Sequence, residues 1–258
     1  MLQKIKNLIA HYRKKCWIYL PFYFSRIRGK KTFIANYYGI PLLMYADTHY
    51  QHHILLWQRH GWYEPHILEE WKKLCEGKNC ILDVGGYNGL FGIIAAKLNP
   101  DAKVFIFEPD EINFRHTSKN IELNNLANVK VLKIAISDKD GEVIFGGHSG
   151  GTGPHIGAGT NKVKTITLDS FLKENNIKPD LMKIDVEGAE KMLFDGGKEF
   201  FSGSANPQIL LEVHPVFLKN FNSSDEELFA KINSYGRFER RDLGDRRERT
   251  YTINLQKW

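Results

Sequence analysis

Glycines and acidic side chains follow the first two apolar runs of the regular pattern that begins at residue 80. Asp83-Val-Gly-Gly-Tyr-Asn-Gly89 closes the run Cys80–Val84 and leads into a helical pattern over Leu90–Leu98. Glycines at a strand tip let backbone N–H groups approach a ligand closely. Glu108 follows the next run, Lys103–Phe107, where a carboxylate can accept hydrogen bonds from ribose hydroxyls. The pattern predicts a nucleoside site; the alternative for the glycine turn is a plain strand–helix connection.

Two further features refine this nucleoside site. Ser137 and Asp138 follow the third apolar run, Val129–Ile134, and either could reach an adenine amine, although Asp138 also fits a simple turn. Gly85, Gly86 and Gly89 do not have the G-x-G-x-x-G spacing of dinucleotide-binding turns. An NAD(P)-dependent oxidoreductase is therefore the disfavoured alternative.

A second group of reactive side chains follows the fourth and fifth apolar runs. Asp185 and Glu187 stand at one predicted strand tip, with Glu190 on the first helical turn behind them, and Glu212 and His214 stand at the next tip. Carboxylates here can orient an acceptor or take up its proton, and an imidazole near neutral pKa is a candidate general base. The alternatives are that Glu190 serves only as a charge at the start of a helix and that His214 has a purely structural role. A divalent metal on these side chains is an alternative that we do not favour, so the sequence predicts no metal site.

The elements that must position these residues alternate along the chain. Strands that alternate with helices of this length predict βαβ units and an α/β domain with a mostly parallel sheet. The terminal segments Phe238–Leu243 and Thr250–Leu255 predict an added antiparallel hairpin. The glycine-rich loop Gly146–Asn161 between two paired strands predicts either a lid over the acceptor or a disordered hairpin tip. The remaining predicted elements are helices at Asp110–Leu123, Leu168–Asn175, Gly188–Phe194 and Asp225–Tyr235, and strands at Glu142–Phe145, Val163–Thr167, Leu181–Asp185 and Ile209–Val213.

Charge is unevenly distributed along the 258 residues. Nine of the 36 basic residues lie within 1–46, where no acid occurs, which leaves 27 basic against 30 acidic residues for 47–258. This balance argues against a nucleic-acid groove across the domain. The basic amphipathic segment 1–31 predicts either a packed helix or a peripheral membrane contact, because its apolar run is too short to span a bilayer. Three cysteines without a C-x-x-C pair favour a reducing, cytoplasmic setting.

Several stretches of residues 80–215 together resemble the FkbM-type methyltransferases. The resemblance implies a Rossmann-like class I methyltransferase fold, S-adenosylmethionine as the donor with S-adenosylhomocysteine as product, and O-methylation of a sugar, glycan or secondary metabolite. The stretches that carry it are Ile81-Leu-Asp-Val-Gly85, Phe107-Glu-Pro109, Asn120-Ile-Glu-Leu-Asn-Asn125, Ala135-Ile-Ser-Asp-Lys-Asp-Gly141, Thr165-Ile-Thr-Leu-Asp169, Lys183-Ile-Asp-Val-Glu-Gly-Ala-Glu190 and Glu212-Val-His-Pro215.

The family pattern also suggests roles for individual residues. Tyr87 departs from it, because Gly86-Tyr87 stands where the family usually has Ala-Asn. The predicted catalytic residues are Asp185, Glu187 and His214. The predicted donor-binding residues are Glu64, Asp83, Gly85, Gly86, Tyr87, Asn88, Gly89, Glu108, Pro109, Ser137, Asp138 and Asp185.

The predicted organisation has two parts, a largely helical basic extension over 1–79 and a catalytic domain over 80–258. The predicted partners are a small-molecule or glycan acceptor, no nucleic acid, and, as open alternatives, a membrane surface or a second copy of the chain. A non-catalytic nucleoside-binding scaffold at a membrane is the alternative from another functional class.

Overall fold

A computed structural model gives the fold of the chain. It describes residues 32–37, 39–45, 65–146, 155–156, 161–204, 206–243 and 249–256. The chain divides into two compact units, 1–63 and 64–258. In the first unit, β1 (Thr32–Tyr37) and β2 (Ile40–Tyr45) form an antiparallel hairpin closed at Gly39. The sequence predicted no strands in this segment, and the amphipathic segment 1–31 lies outside the described residues.

The second unit alternates strands and helices as predicted. Helix α1 (Pro65–Leu74) precedes the first βαβ unit. The elements that follow are β3 (Cys80–Val84), α2 (Leu90–Leu98), β4 (Lys103–Phe107), α3 (Glu111–Leu123), β5 (Val129–Leu132), β6 (Ala135–Ser137), β7 (Gly141–Gly146), β8 (His155–Ile156), β9 (Asn161–Thr167), α4 (Leu168–Asn175), β10 (Leu181–Ile184), α5 (Glu190–Gly196), α6 (Lys198–Ser202), β11 (Gln208–Val213), α7 (Pro215–Leu218), a 3-10 turn (Lys219–Phe221), α8 (Asp225–Asn233), β12 (Arg237–Asp242) and β13 (Arg249–Gln256).

A seven-stranded sheet in the order β12-β13-β11-β10-β3-β4-β5 forms the centre of this unit. Strands β11, β10, β3, β4 and β5 run parallel, and the hairpin β12–β13 joins β11 in the antiparallel sense. The predicted Rossmann-like α/β fold with a C-terminal antiparallel hairpin is therefore confirmed. Among the described residues no helix is both long and apolar enough to cross a bilayer.

One predicted strand is interrupted. The run Val129–Ile134 leaves the main sheet after Leu132, and Ala135–Ser137 begins a separate four-stranded sheet in the order β6-β9-β7-β8. Ser137 therefore ends a strand of the smaller sheet. The predicted pairing of Glu142–Phe145 with Val163–Thr167 is present as the antiparallel pair β7–β9, whereas most of the loop between them lies outside the described residues.

One large hydrophobic cluster lies against one face of the main sheet. Alternate side chains along each strand point to this face, because successive Cβ atoms point to opposite sides. Aromatic contacts join the sheet to α4, where Phe107 and Phe171 meet edge to face at 4.8 Å between ring centroids. Each fully buried side chain of this kind contributes about 1.5–3 kcal/mol. The core strands contribute Leu82, Val84, Phe105, Phe107, Met182, Ile184, Ile209, Leu211 and Val213.

Local signals fix the helix starts around this core. Asp110 caps α3, its Oδ1 accepting from the N–H groups of Ile112 and Asn113 at 3.0 Å. Ser224 caps α8 and forms a capping box with Glu227. These caps satisfy N–H groups that have no partner inside the helix.

Candidate active site

The carboxyl ends of four neighbouring parallel strands carry the reactive side chains. In the sheet order β11-β10-β3-β4, these ends are followed by His214, Asp185, Gly85 and Glu108. Ligands of open α/β sheets bind at this edge. The topology thus brings the predicted nucleoside turn and the predicted acceptor residues to adjacent strand tips.

The glycine turn after β3 is packed too closely for side chains. Gly85 has φ +86°, and a Cβ at that position would lie 1.7 Å from the carbonyl oxygen of Asp185. A Cβ on Gly86 would lie 2.2 Å from Ile106. The N–H groups of both glycines donate to the carbonyl of Phe107 at 3.0 Å. The turn is therefore pressed against the tips of both β10 and β4.

Helix α3 holds the remainder of the turn. Tyr87 has a left-handed backbone with φ 51°, and its carbonyl accepts from the Thr117 hydroxyl at 2.7 Å. The Asn120 amide donates to the carbonyl of Asn88 at 2.8 Å. Both contacts fix the orientation of the loop between the strand and α2. The departure from the family pattern at Tyr87 thus falls at a left-handed backbone position of the turn.

Glu108 is buried and bonded to the same turn. Its Oε2 accepts from the N–H of Tyr87 at 2.7 Å, and its Oε1 accepts from the N–H of Asp110 at 2.9 Å. Burial raises the pKa of Glu108 to about 8, although these two N–H groups lower it. A carboxyl group in this position links the turn to the start of α3.

Asp83 and Lys183 are buried charged residues on the two adjacent strands β3 and β10. They are directly paired across these strands. The Asp83 Oδ2 accepts from the N–H of Gly92 at 2.8 Å, whereas its Oδ1 is buried and has no hydrogen-bond partner among the described residues. Burial raises the pKa of Asp83 to about 6, and the nearby ammonium of Lys183 opposes this shift.

The ammonium of Lys183 is enclosed by anionic and aromatic groups. It donates to Asp185 Oδ2 at 2.7 Å and lies 4.5 Å above the ring centroid of Phe91. Burial alone would lower its pKa, but the carboxylates of Asp185, Glu212 and Asp83 raise the pKa above its ordinary value. Lys183 is therefore a fixed cation.

An acid–histidine cluster occupies the tips of β10 and β11. The Nε2 of His214 lies 3.8 Å from Asp185 Oδ1, 3.6 Å from Glu187 Oε2 and 3.8 Å from Glu212 Oε1. On the other side of the ring, Nδ1 lies 3.0 Å from Oε1 of the fully buried Glu190. The structure therefore brings the three predicted catalytic residues together, with two further acids around the same imidazole.

The electrostatics of this cluster decide which groups are charged. Burial would lower the pKa of His214, but the hydrogen bond to Glu190 and the charges of Asp185 and Glu187 raise it to about 9. Burial would likewise raise the pKa of Asp185, but Lys183 and His214 hold it below its ordinary value. At neutral pH His214 is thus cationic and a hydrogen-bond donor, which counts against it as a free general base.

Other predicted site residues have less direct support. Ser137 is fully buried, and its hydroxyl donates to the carboxylate of the exposed Asp138 at 3.1 Å. Pro109 is half-buried beside Glu108. Glu64 lies outside the described residues. The roles predicted for these four residues stay predictions.

Three cluster residues, Lys183, Glu190 and Glu212, are absent from the predicted set of catalytic and donor-binding residues. Lys183 has a recognisable signal, because a lysine in the otherwise apolar strand Leu181–Ile184 must find anionic partners when it is buried. Glu190 reads from sequence as a helix-capping charge, yet its side chain accepts from the N–H of Gly188 and contacts His214.

The region that contains these residues matches a known protein family. Residues 83–245 match the Methyltransferase FkbM domain, a stretch that begins at Asp83 and contains the turn and the acid–histidine cluster. The chain belongs to this family. The FkbM resemblance of the sequence motifs is therefore confirmed, and the nicotinamide-dependent alternative is not supported.

Two curated relatives of this FkbM-domain protein are methyltransferases by name. The 2-O-methyltransferase NoeI of Sinorhizobium fredii is 30% identical over 143 residues, which cover 46% of this chain and 57% of NoeI. Methyltransferase 1 of Beauveria bassiana is 25% identical over 142 residues, covering 45% of this chain and 57% of its own. The matched region thus spans little more than half the length of either relative.

Solved structures share the fold at low sequence identity. SMU.776, a candidate methyltransferase in complex with S-adenosylhomocysteine, has a TM-score of 0.52 at 12% identity, covering 87% of this chain and 56% of its own. A candidate S-adenosylmethionine-dependent methyltransferase from Streptococcus mutans has a TM-score of 0.50 at 14% identity, with coverage of 88% and 56%. These likenesses agree with the class I methyltransferase fold of the FkbM-domain chain.

Proposed function

We propose that the chain is an S-adenosylmethionine-dependent O-methyltransferase acting on a hydroxyl of a sugar, glycan or secondary metabolite. The observation that carries this proposal is the contact between the glycine turn after β3 and the acid–histidine cluster after β10, which meet where Gly85 abuts the Asp185 carbonyl. Membership of the FkbM family supports methyl transfer, and the name of the relative NoeI supports oxygen as the accepting atom.

The turn fits a nucleoside donor. Its glycines keep the turn free of side chains at a strand tip, and the buried Asp83 Oδ1 has no described hydrogen-bond partner. Glu108 lies beside the turn and already fixes it through Tyr87. We assign the methionine part of the donor to the region of Asp83 and Gly85, the ribose to Glu108, and the adenine to Ser137 or Asp138.

The cluster supplies groups that can orient an acceptor. When bound, S-adenosylmethionine supplies an electrophilic methyl group, which passes to the acceptor oxygen as the carbon–sulfur bond breaks and its electron pair stays on sulfur. Asp185, held ionised by Lys183, is suited to accept the hydrogen bond of the acceptor hydroxyl and then its proton. Glu187 lies beside it, and the cationic His214 can donate a hydrogen bond that fixes the acceptor.

The charge balance bears on the partners. The acidic excess of residues 47–258 and the anionic cluster disfavour a polyanionic acceptor, so we propose a small molecule or glycan and no nucleic acid. The basic segment 1–31 is assigned to a packed or peripheral membrane role in a cytoplasmic protein, and a second copy of the chain is an alternative partner for it. Co-sedimentation with vesicles containing phosphatidylserine separates the membrane role from the other two.

The donor site is tested by calorimetric titration with S-adenosylhomocysteine. Wild-type protein is expected to bind, and Glu108→Gln is expected to bind at least about tenfold more weakly, a loss of roughly 1.4 kcal/mol. Glu111→Gln is the matched control, because Glu111 is an exposed acid on the adjoining helix that pairs with Lys133. Absence of binding by folded wild-type protein contradicts the proposal.

Methyl transfer itself is tested with isotopically labelled donor. Wild-type protein is incubated with panels of sugars, glycans, hydroxylated metabolites and RNA. Label in a hydroxyl-bearing acceptor supports the proposed function, and label confined to RNA or to an amine overturns the acceptor assignment. Donor binding without transfer to any panel favours the non-catalytic scaffold.

A further inference from the structure

The spacing of the acid–histidine cluster is slightly wider than that of atoms which share one cation. The three carboxylate oxygens that face His214 Nε2 lie 3.6–3.8 Å from it, beyond the length of a hydrogen bond. Metal–ligand bonds of about 2.0–2.2 Å place neighbouring ligand atoms roughly 3–3.6 Å apart. One ligand atom from each of Asp185, Glu212 and His214 lies within 4.8 Å of the other two. These three side chains therefore need only a small rearrangement to coordinate one ion.

Glu190 provides an independent indication. This side chain is fully buried. Its Oε1 lies against His214 Nδ1, whereas its Oε2 is buried without a hydrogen-bond partner among the described residues. A buried, incompletely satisfied carboxylate is costly. A carboxylate on one nitrogen of an imidazole is also the usual arrangement when the other nitrogen binds a metal, because it fixes the tautomer and makes the ligand more basic. A cation at Nε2 would therefore offset part of the cost of burying Glu190.

The charge balance points the same way. Four carboxylates surround His214, and the ammonium of Lys183 is bonded to one of them, that of Asp185; with the imidazole cationic, these groups carry a net charge of −2. Lys183 bonds Oδ2 of Asp185, whereas Oδ1 faces the imidazole. One divalent ion that replaces the imidazole proton at Nε2 would reduce the excess to −1 without displacing Lys183.

We propose that Asp185, Glu212 and His214 bind a hard divalent cation of the Mg²⁺ or Mn²⁺ class, with Glu187 in reach as a further ligand. Carboxylate-rich sets favour such ions over softer ones. Glu190 acts as a positioning residue through the imidazole. The role of the ion rests on the proposed function: it holds the acceptor hydroxyl and lowers its pKa, so that the proton is released to a neighbouring carboxylate.

The site is tested by titrating the full chain with Mn²⁺ alone and following the paramagnetic resonance signal of the free ion. Wild-type protein is expected to remove the signal saturably, at one ion per chain. Glu212→Gln is expected to weaken binding more than about tenfold, and Glu190→Gln by about 10–100-fold. Glu239→Gln, an exposed acid on β12, is the matched control and should bind as wild type does.

Two results would overturn the metal site: no saturable binding by wild-type protein, or equal binding by Glu212→Gln and Glu239→Gln. Circular dichroism confirms folding, and if Glu212→Gln does not fold, the comparison of Glu190→Gln with wild type decides. Titration with S-adenosylhomocysteine in the presence of a chelator separates this proposal from the proposed function. Donor binding without Mn²⁺ binding contradicts only the metal site. Mn²⁺ binding without donor binding contradicts only the methyltransferase assignment.

Discussion

At the scale of single residues, Lys183 has the most consequential position in the site. It is buried in β10, paired with Asp83 across the sheet, and bonded to the carboxylate of Asp185. A cation in this place offsets the cost of removing the carboxylates of Asp83 and Asp185 from water, since an unpaired buried charge is strongly destabilising. It also fixes which oxygen of Asp185 faces the imidazole of His214.

Replacement of this lysine by an isosteric apolar residue tests the assignment. Lys183→Met is expected to lower the free energy of unfolding by about 3–5 kcal/mol, because it leaves buried carboxylates without their cation. Lys133→Met is the control: Lys133 pairs with Glu111 at 2.6 Å on the surface, and its loss should cost no more than about 1 kcal/mol. Urea unfolding measures both, and equal losses in the two variants would contradict the role given to Lys183.

At the scale of elements, the close approach of β3 and β10 shapes the site. The tips of these strands touch through Gly85 and the Asp185 carbonyl, so the turn and the cluster share one boundary. No side chain can stand at that point. The geometry of the glycine turn therefore depends on how the two strands pack, as well as on the conformation of its own residues.

A pair of glycines with the same backbone angle separates packing from conformation. Gly85 has φ +86° and is tightly enclosed, whereas Gly39 has φ +87° and has no atom of a described residue within 4 Å of an added Cβ. Alanine at either position adopts an unfavourable left-handed backbone at a cost of roughly 1–2 kcal/mol.

Gly85→Ala is expected to lose about 1–3 kcal/mol more than Gly39→Ala because of overpacking, together with most of the affinity for S-adenosylhomocysteine. Thermal unfolding and calorimetry provide the two readouts. Equal stability losses, with donor affinity retained in Gly85→Ala, would show that the two strand tips can separate at little cost.

At the scale of the whole molecule, buried ionisable groups make stability depend on pH. The pKa of Glu108 is raised from 4.5 to about 8, so its contribution is fully present below pH 4.5 and is lost as the pH rises through 8. The pKa of His214 is raised from 6.5 to about 9, and its contribution is lost over that higher window. Both shifts make the ligand-free chain less stable in mild alkali than in mild acid.

We therefore expect the free energy of unfolding to fall between pH 4.5 and about 8, by an amount on the order of a few kcal/mol. Glu108→Gln should remove a large part of this fall, because a neutral amide does not titrate. Glu111→Gln should retain it. Urea unfolding across the pH range measures the slopes, and an undiminished slope in Glu108→Gln would contradict the assignment of the shift.

The sequence predicts much of the fold because its apolar runs coincide with buried strands. Cys80–Val84 and Lys103–Phe107 begin and end as predicted, and so does helix Leu168–Asn175. The break after Leu132 is not visible in this way, because Val129–Ile134 has one apolar pattern shared between two sheets. The hairpin at Thr32–Tyr45 is missed although Gly39 marks its turn, because the run Ile40–Tyr45 does not alternate apolar and polar residues.

The candidate site is predictable only in part. Residues that follow strand tips can be inferred from chain order, and the structure brings Asp185, Glu187 and His214 together as expected. Contacts such as Lys183 with Asp83 depend on the register between strands far apart in sequence, which a single sequence does not specify. The second contact of His214, through Glu190, depends in the same way on how α5 packs against the tip of β11.

The backbone contact between Gly85 and Asp185 has a thermodynamic consequence. If the donor occupies one side of this contact and a divalent ion the other, the binding free energies of the two ligands are linked through the contact. The linkage must be reciprocal: whatever factor Mn²⁺ contributes to the affinity for S-adenosylhomocysteine, saturation with S-adenosylhomocysteine must contribute to the affinity for Mn²⁺. A factor above one means that each ligand strengthens the binding of the other, and a factor below one means that each weakens it by the same amount.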